Sequence, residues 1–444
     1  MDTPICDFVE NYRRRGGLRL HMPGHKGAAM LGMEQRDITE IAGADELYHA
    51  RGIIRASEEN ASSLFGTAKT LYSAEGSSLC IRAMLYLALL EGKRRERPPL
   101  ILAGRNAHKT LMTAAALLDL DIAWLWPESS LLSCVVTPDG LENALAALPQ
   151  PPAAVYITSP DYLGNLADIG GLSAVCRRHG VSLLVDNAHG AYLRFLPKDR
   201  HPITLGADMC CDSAHKTLPC LTGAAYLHIS RQAPALFAEQ AERALSLFAS
   251  TSPSYLILQS LDAANRYLAE GYREKLAMFL KALGQTKTRL QTYGYMLAGQ
   301  EPMKLTLATK PFGYTGDQLH DRLRAQGIEC EFSDPDYLVM MPAPETGEGG
   351  LKRLESALLS IPRQSAVPEE PPPVPRLKRA CSLRQALLSS QREMPAAEAA
   401  GRVLADAYAG CPPAVPIAIC GEVLDAAALR CFRYYGVDTC NVID

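Results

Sequence analysis

Asp212-Ser213-Ala214-His215-Lys216-Thr217-Leu218-Pro219 lies between two short apolar runs, residues 207–211 and 223–229. Apolar runs this short, bounded by turn residues, read as strands covered on both faces, with the polar octapeptide as the loop that leaves one of them. Upstream the same alternation continues. Apolar runs at 100–103, 122–126, 153–158 and 182–185 read as strands, and helical patterns at 77–91, 108–118, 141–148 and 171–179 fall between them. Strands alternating with helices predict βαβ units and a mainly parallel sheet in a large α/β domain. Ligands of such sheets bind at the carboxyl ends of the strands.

Outside this core the pattern changes. Residues 1–60 read as polar and irregular, with a turn-rich loop at His21-Met22-Pro23-Gly24-His25-Lys26-Gly27, and a short helix is expected at 56–65. Residues 235–283 are mostly helical. Strands at 304–308 and 337–341, with helices at 316–326 and 350–359, predict a small α+β domain. Val367-Pro368-Glu369-Glu370-Pro371-Pro372-Pro373-Val374-Pro375 predicts an extended linker. Beyond it a helix is expected at 395–409, a turn at Pro412-Pro413 and a strand at 417–419. The expected divisions are an N-terminal segment 1–60, a large domain 61–285, a small domain 286–361, a linker 362–379 and a C-terminal domain 380–444.

Composition narrows the functional classes. The 444 residues are 48% hydrophobic and 21% charged, enough to bury a sizeable core, and the net charge of -3 gives no general attraction to nucleic acid or anionic membranes. No apolar run approaches the roughly 18 residues of a membrane helix, and the N-terminus lacks the layout of a signal peptide, so a cytosolic, cytoplasmic location is expected. The thirteen cysteines are odd in number and contain no Cys-x-x-Cys pair, which argues against a disulfide framework and a zinc ribbon. Cys411, Cys420, Cys431 and Cys440 are spaced without a tight knuckle and read as buried thiols rather than a metal site. Dinucleotide and P-loop glycine motifs are missing.

The strand ends carry a more specific chemistry. Lys216, with the hydroxyl of Ser213 and the imidazole of His215 just before it, is the set that can hold pyridoxal 5'-phosphate (PLP) as a Schiff base. The ammonium must lose its proton to attack the aldehyde, and a partly desolvated lysine does so more readily. Asp186 ends the strand before the one that leads to Lys216. A carboxylate at a buried strand end needs a partner, and the pyridinium nitrogen of PLP is one; a cap on the following segment is another. His189 could hold the ring's phenolic oxygen or be an ordinary loop histidine. Ser73-Ala74-Glu75-Gly76-Ser77-Ser78 opens a helix, where Gly76, Ser77 and Ser78 suit a phosphate, while a plain capping box explains the same residues. Asn106-Ala107-His108-Lys109 puts an imidazole, His108, at the end of another strand, where it could stack on a planar cofactor.

These motifs together resemble the Orn/Lys/Arg decarboxylases, in particular their short bacterial form. The resemblance rests on 21–27, 106–109, 185–190 and 213–219, with further matches at 250–255 and 401–422. It implies a fold-type-I PLP enzyme in which Lys216 holds the cofactor and Asp186 pairs with the pyridinium nitrogen. It also implies that His108 stacks on the ring, that Ser77, Ser78, Ser213 and His215 serve the phosphate, and that His189 lies beside the cofactor. Family active sites form at a dimer interface, so a homodimer or higher homo-oligomer is expected, with 23–26 and 251–255 approaching a neighbour's cofactor. The chain departs from the family pattern in three places. The Pro-Gly-His-Lys motif begins at residue 23, so the wing domain of the long members is not expected. The Pro-Gly-Glu motif of the tail is here Cys420-Gly421-Glu422. Asn187 stands where family members vary.

The implied activity is decarboxylation of lysine, arginine or ornithine to the amine and CO2, with a small-molecule substrate, no nucleic acid, no membrane and no metal. Glu75, Asp161 and Glu422 are the acids considered for the substrate's distal cation. An aminotransferase or carbon–carbon lyase would share Asp186 and Lys216, and a catalytically silent binding protein is the reading from another class.

Overall fold

The computed structural model of the chain describes residues 1–126, 134–373, 375–410 and 415–444. Cys411, the expected turn at Pro412-Pro413 and Val374 of the proline-rich run lie outside the described residues.

In chain order the first elements are α1 (Pro4–Arg15), α2 (Ile53–Phe65), β1 (Lys69–Ser73), α3 (Gly76–Arg94), β2 (Leu100–Gly104), α4 (Lys109–Leu118), β3 (Asp121–Leu125) and α5 (Pro138–Ala147). They continue with β4 (Ala154–Thr158), α6 (Ile169–Arg178), β5 (Ser182–Asp186), α7 (Pro202–Leu205), β6 (Met209–Asp212), α8 (Ala214–Thr217), β7 (Ala225–Ile229), α9 (Ala235–Ser246), α10 (Tyr255–Ala269) and α11 (Tyr272–Tyr293). Seven strands form one sheet in the order β1-β7-β6-β5-β4-β2-β3. β5 and β6 pair in parallel, as do β2 and β3, whereas β7 runs antiparallel to both β6 and β1. Every residue of β5, β6 and β7 is buried, which explains their mostly apolar sequences. β1 was not expected from the sequence, because Lys69 and Thr70 interrupt its apolar pattern.

The chain divides into two compact units, residues 1–98, 153–155 and 169–275 in the first and 99–152, 156–168 and 276–444 in the second. In the first, α3 buries Leu79, Met84, Leu85 and Leu87. Residues 4–15, read as irregular, are helical instead. Ile5 and Val9 lie one turn apart and are fully buried, Pro4 occupies the first turn, and Gly16 ends the helix in the left-handed region.

The second unit has two further cores. Around Phe312, stacked on Tyr295 at 3.8 Å between ring centroids, pack β8 (Met296–Ala298), β9 (Leu305–Ala308), α12 (Gly316–Arg324), β10 (Phe332–Ser333), β11 (Tyr337–Met340) and α13 (Gly347–Leu359). The other core contains Leu404, Leu424, Phe432 and Val442 and belongs to β12 (Gln391–Pro395), β13 (Tyr408–Ala409), β14 (Ala418–Ile419), α15 (Ala426–Tyr434) and β15 (Thr439–Ile443), while α14 (Leu383–Leu388) packs on α4. The helix expected at 395–409 does not form. Leu404 N–H donates to Glu422 O and its carbonyl accepts from Gly421 N–H, so long-range pairing takes the groups a helix would have used. The helix of this region is α15, whose first N–H groups are capped by Asp425.

Candidate active site

In the first unit the ends of β5 and β6 lie side by side, with Asp186 opposite Cys211. Asp186 is buried, its Oδ1 accepting from Ala188 N at 3.2 Å with the Cys211 thiol 3.7 Å away. It therefore supports the turn after β5, but it does not cap the helical segment that follows, Ala191–Phe195, which begins at Gly190 without a side-chain bond. His189 closes that turn and is buried. Its Nε2 lies 3.2 Å from Lys216 Nζ, so one of the two nitrogens donates to the other. An imidazole facing an amine can accept a hydrogen bond from it, or as imidazolium pass it a proton.

Lys216 sits in the single turn α8, directly after β6. Before it, Ser213 Oγ donates to Ser77 Oγ at 2.8 Å, joining the end of β6 to the first turn of α3. α3 starts without a side-chain cap, so the capping-box reading of 73–78 does not hold; Ser73 Oγ instead accepts from Glu75 N. The start of α3 thus lies beside paired hydroxyls, a setting for an anion. Gly223 O accepts from Gly76 N at 2.7 Å. Gly223 has φ +98, and a Cβ there would stand 3.0 Å from Ala74 O. His215 Nδ1 bonds Ala224 O at 2.9 Å. One amine, one buried carboxylate on the adjoining strand and two hydroxyls at a helix start are a donor set that fits PLP.

Behind these strand ends lies a network that sequence reasoning missed. Asp212, to which the sequence assigned no role, is fully buried. Its carboxylate accepts from Asn187 Nδ2 at 2.7 Å and faces His201 Nε2 at 3.0 Å and His228 Nε2 at 3.2 Å. Burial alone would push this carboxyl up, but the two imidazoles outweigh it and hold the group well below the ordinary carboxylate range. Burial pushes the His228 imidazole down, against the pull of Asp212. Among the described residues, His201, Cys210 and Asp212 are the one group of three His, Cys, Asp or Glu side chains whose ligand atoms all come within 4.8 Å. The available signal was the one that flagged Asp186, a carboxylate closing an apolar strand.

In the second unit, His108 caps α4, its Nδ1 2.9 Å from Thr110 Oγ1. Three residues earlier, Arg105 is fully buried between the rings of Trp124 and Trp126 and pairs with Glu422 at 2.8 Å. Glu422 also accepts from Ile419 N. Asp161 takes both the backbone and side-chain N–H of Asn165. Among the acids considered for the substrate's distal cation, Glu422 is thus committed to Arg105. Glu75, in the first unit, is exposed and accepts from Ser250 N.

The model of the Orn/Lys/Arg decarboxylase major domain matches residues 3–310. The chain belongs to the Orn/Lys/Arg decarboxylase family. An arginine decarboxylase of Bacillus subtilis is 29% identical to this family member over 459 residues, covering 95% of this chain and 91% of the relative. The constitutive lysine decarboxylase of E. coli superposes with a TM-score of 0.78 at 18% identity, covering 100% of this chain and 82% of that one. The Francisella novicida lysine decarboxylase superposes at 0.81 and 16%, covering 100% and 81%. At such identities the solved structures speak to the fold alone, that of fold-type-I PLP enzymes, as the sequence predicts. Family membership makes the chain an amino acid decarboxylase. No helix among the described residues is long and apolar enough to cross a membrane.

Proposed function

We propose that the protein decarboxylates a basic amino acid with PLP held covalently by Lys216, and that arginine is its first substrate. The observation that carries this reading is the 3.2 Å approach of Lys216 Nζ to His189 Nε2, beside the strand end that presents Asp186. Arginine is favoured because a relative aligned along nearly the whole chain is named an arginine decarboxylase.

Bound PLP supplies an electron sink for the pair left when the carboxyl group departs. The protein's part is orientation and proton control. Asp186, a buried carboxylate, is assigned to the pyridinium nitrogen. Ser77, Ser78, Ser213 and His215, with Gly76 opening the helix start, are assigned to the phosphate. With PLP bound, His189 would take a proton from Lys216, and the Lys216 amine would deliver a proton to the substrate's Cα. For His108 the proposed role, ring stacking, comes from the sequence motif. We also assign a homodimer with shared sites. It is supported by Leu18, Leu20, Met30 and Leu31, each more than 80% exposed within one short segment.

The test is a substrate panel. Purified protein with added PLP is given arginine, lysine or ornithine, and CO2, amine and keto acid are measured. Release of CO2 with agmatine from arginine supports the proposal in full. Amine from lysine or ornithine alone overturns the choice of arginine. Keto acid without CO2 overturns decarboxylation in favour of amino-group transfer.

A further inference from the structure

We propose that Asp212 is a positioning residue of the cofactor site, its carboxylate tying the end of β5 to the end of β6 through Asn187 and so setting Asp186 and Lys216 relative to each other. The inference rests on the reading of Lys216 and Asp186 as cofactor ligands given above.

Asp212 is the last residue of β6, four residues before Lys216, and Asn187 directly follows Asp186 at the end of β5. The 2.7 Å bond from Asn187 Nδ2 to Asp212 Oδ1 is a side-chain tie between the two strand ends. It supplements one backbone bond, from Asn187 N to Cys211 O at 3.0 Å. The other carboxylate oxygen is anchored from two directions. His201 reaches it from the segment that precedes β6, and His228 from β7. His228 Nδ1 in turn bonds Thr70 Oγ1 of β1 at 2.9 Å. Asp212 thereby links the chain on both sides of Lys216.

Three features show that the arrangement is tightly determined. Asp212, Asn187, His201 and His228 are each fully buried, where a charged carboxylate without donors would be strongly destabilising. The Phe65 ring lies 4.4 Å from the His228 ring and 5.4 Å from the His201 ring, fixing both imidazoles. Gly190 leaves the space that Asn187 occupies, since a Cβ at residue 190 would sit 2.0 Å from Asn187 Oδ1. Side chains alternate across a strand, so Cys211, whose thiol approaches Asp186, and Asp212 point to opposite faces. The network braces the strand ends from the face away from Asp186, and it acts through them.

The test compares Asp212→Ala, Asn187→Ala and the double variant with wild type and with Ile5→Ala. The last removes a buried side chain from α1, which packs on α2 and α10, and serves as a control for lost stability. Wild type is first loaded with PLP, reduced with borohydride and digested; a pyridoxyl adduct on Lys216 is expected. Its absence overturns the cofactor reading and this inference with it. For each variant the PLP dissociation constant and the pH midpoint of the cofactor's absorbance are then measured. We expect each single variant to weaken PLP binding on the order of tenfold, the lower end for outer-shell partners of a bound group. The absorbance midpoint should move in both, and the double variant should add nothing, because both act on one link. Unchanged constants, additive effects, or an equal shift in Ile5→Ala would overturn the role. If Asp212→Ala does not fold, Asn187→Ala decides alone by the same two readouts. One bound zinc per chain would also overturn it, because the carboxylate would then be a metal ligand.

Discussion

Lys216 Nζ and His189 Nε2 lie 3.2 Å apart, and two predictions belong at the scale of single residues. Lys216→Ala should leave the protein colourless after incubation with PLP and dialysis. Its kcat should fall by about three orders of magnitude or more, as when a covalent nucleophile is removed. Retained PLP absorbance in that variant would refute the assignment. The second concerns Glu58, buried in α2, its carboxyl pushed up to about 8 by burial despite a bond from Tyr72 N. A carboxyl raised in the folded state binds its proton more tightly there than in the unfolded chain. Its stabilising share is therefore complete below about pH 4.5 and is lost as the pH climbs toward 8, with a slope of at most about 1.4 kcal/mol per pH unit. Glu58→Gln keeps the bond from Tyr72 and should flatten the fall in melting temperature between pH 5 and 8. An unaltered slope would mean the group titrates normally.

At the scale of elements, the pair Arg105–Glu422 joins the loop after β2 to the turn after β14, 317 residues apart in sequence. Trp124 and Trp126 cover the guanidinium, so removing its carboxylate strands a buried charge. Glu422→Gln should cost about 3 kcal/mol or more. The loss would be read as faster hydrogen exchange in residues 104–108 and 415–424 together, and acceleration in only one of these segments would contradict the coupling. Gly421 makes the turn possible. Its φ is +85, and a Cβ there would stand 2.7 Å from Cys381 O. The replacement of proline by Cys420 leaves Gly421 and Glu422, the two residues this geometry uses.

For the whole molecule, the exposed apolar segment containing Leu18, Leu20, Met30 and Leu31 predicts association in solution. Light scattering should give twice the chain mass of 48.2 kDa. The double variant Leu18→Asp, Leu31→Asp should shift the protein to monomer at micromolar concentration and lower activity with it. A fully active monomeric variant would refute shared sites.

Much of this architecture is legible along the chain. Buried strands leave short, mostly apolar runs, so β2 through β7, with α4, α5 and α6 between them, can be placed to within a few residues, whereas the short helices α7 and α8 leave no such pattern. The motif residues at their ends follow from that placement. Edge and long-range features cannot be read this way. β1 is interrupted by polar residues whose partners lie elsewhere, and α1 reveals its apolar face only once α2 and α10 cover it. Residues 395–409 have helical composition, yet they give their backbone groups to 421–424. The sequence by itself determined the strands β2 to β7, the order of their functional ends along the chain and the family. The tertiary structure alone decided that Asp212 meets Asn187, His201 and His228, and that Arg105 meets Glu422. Such pairings depend on which buried charges come within hydrogen-bond reach, and no local pattern along a chain encodes that distance.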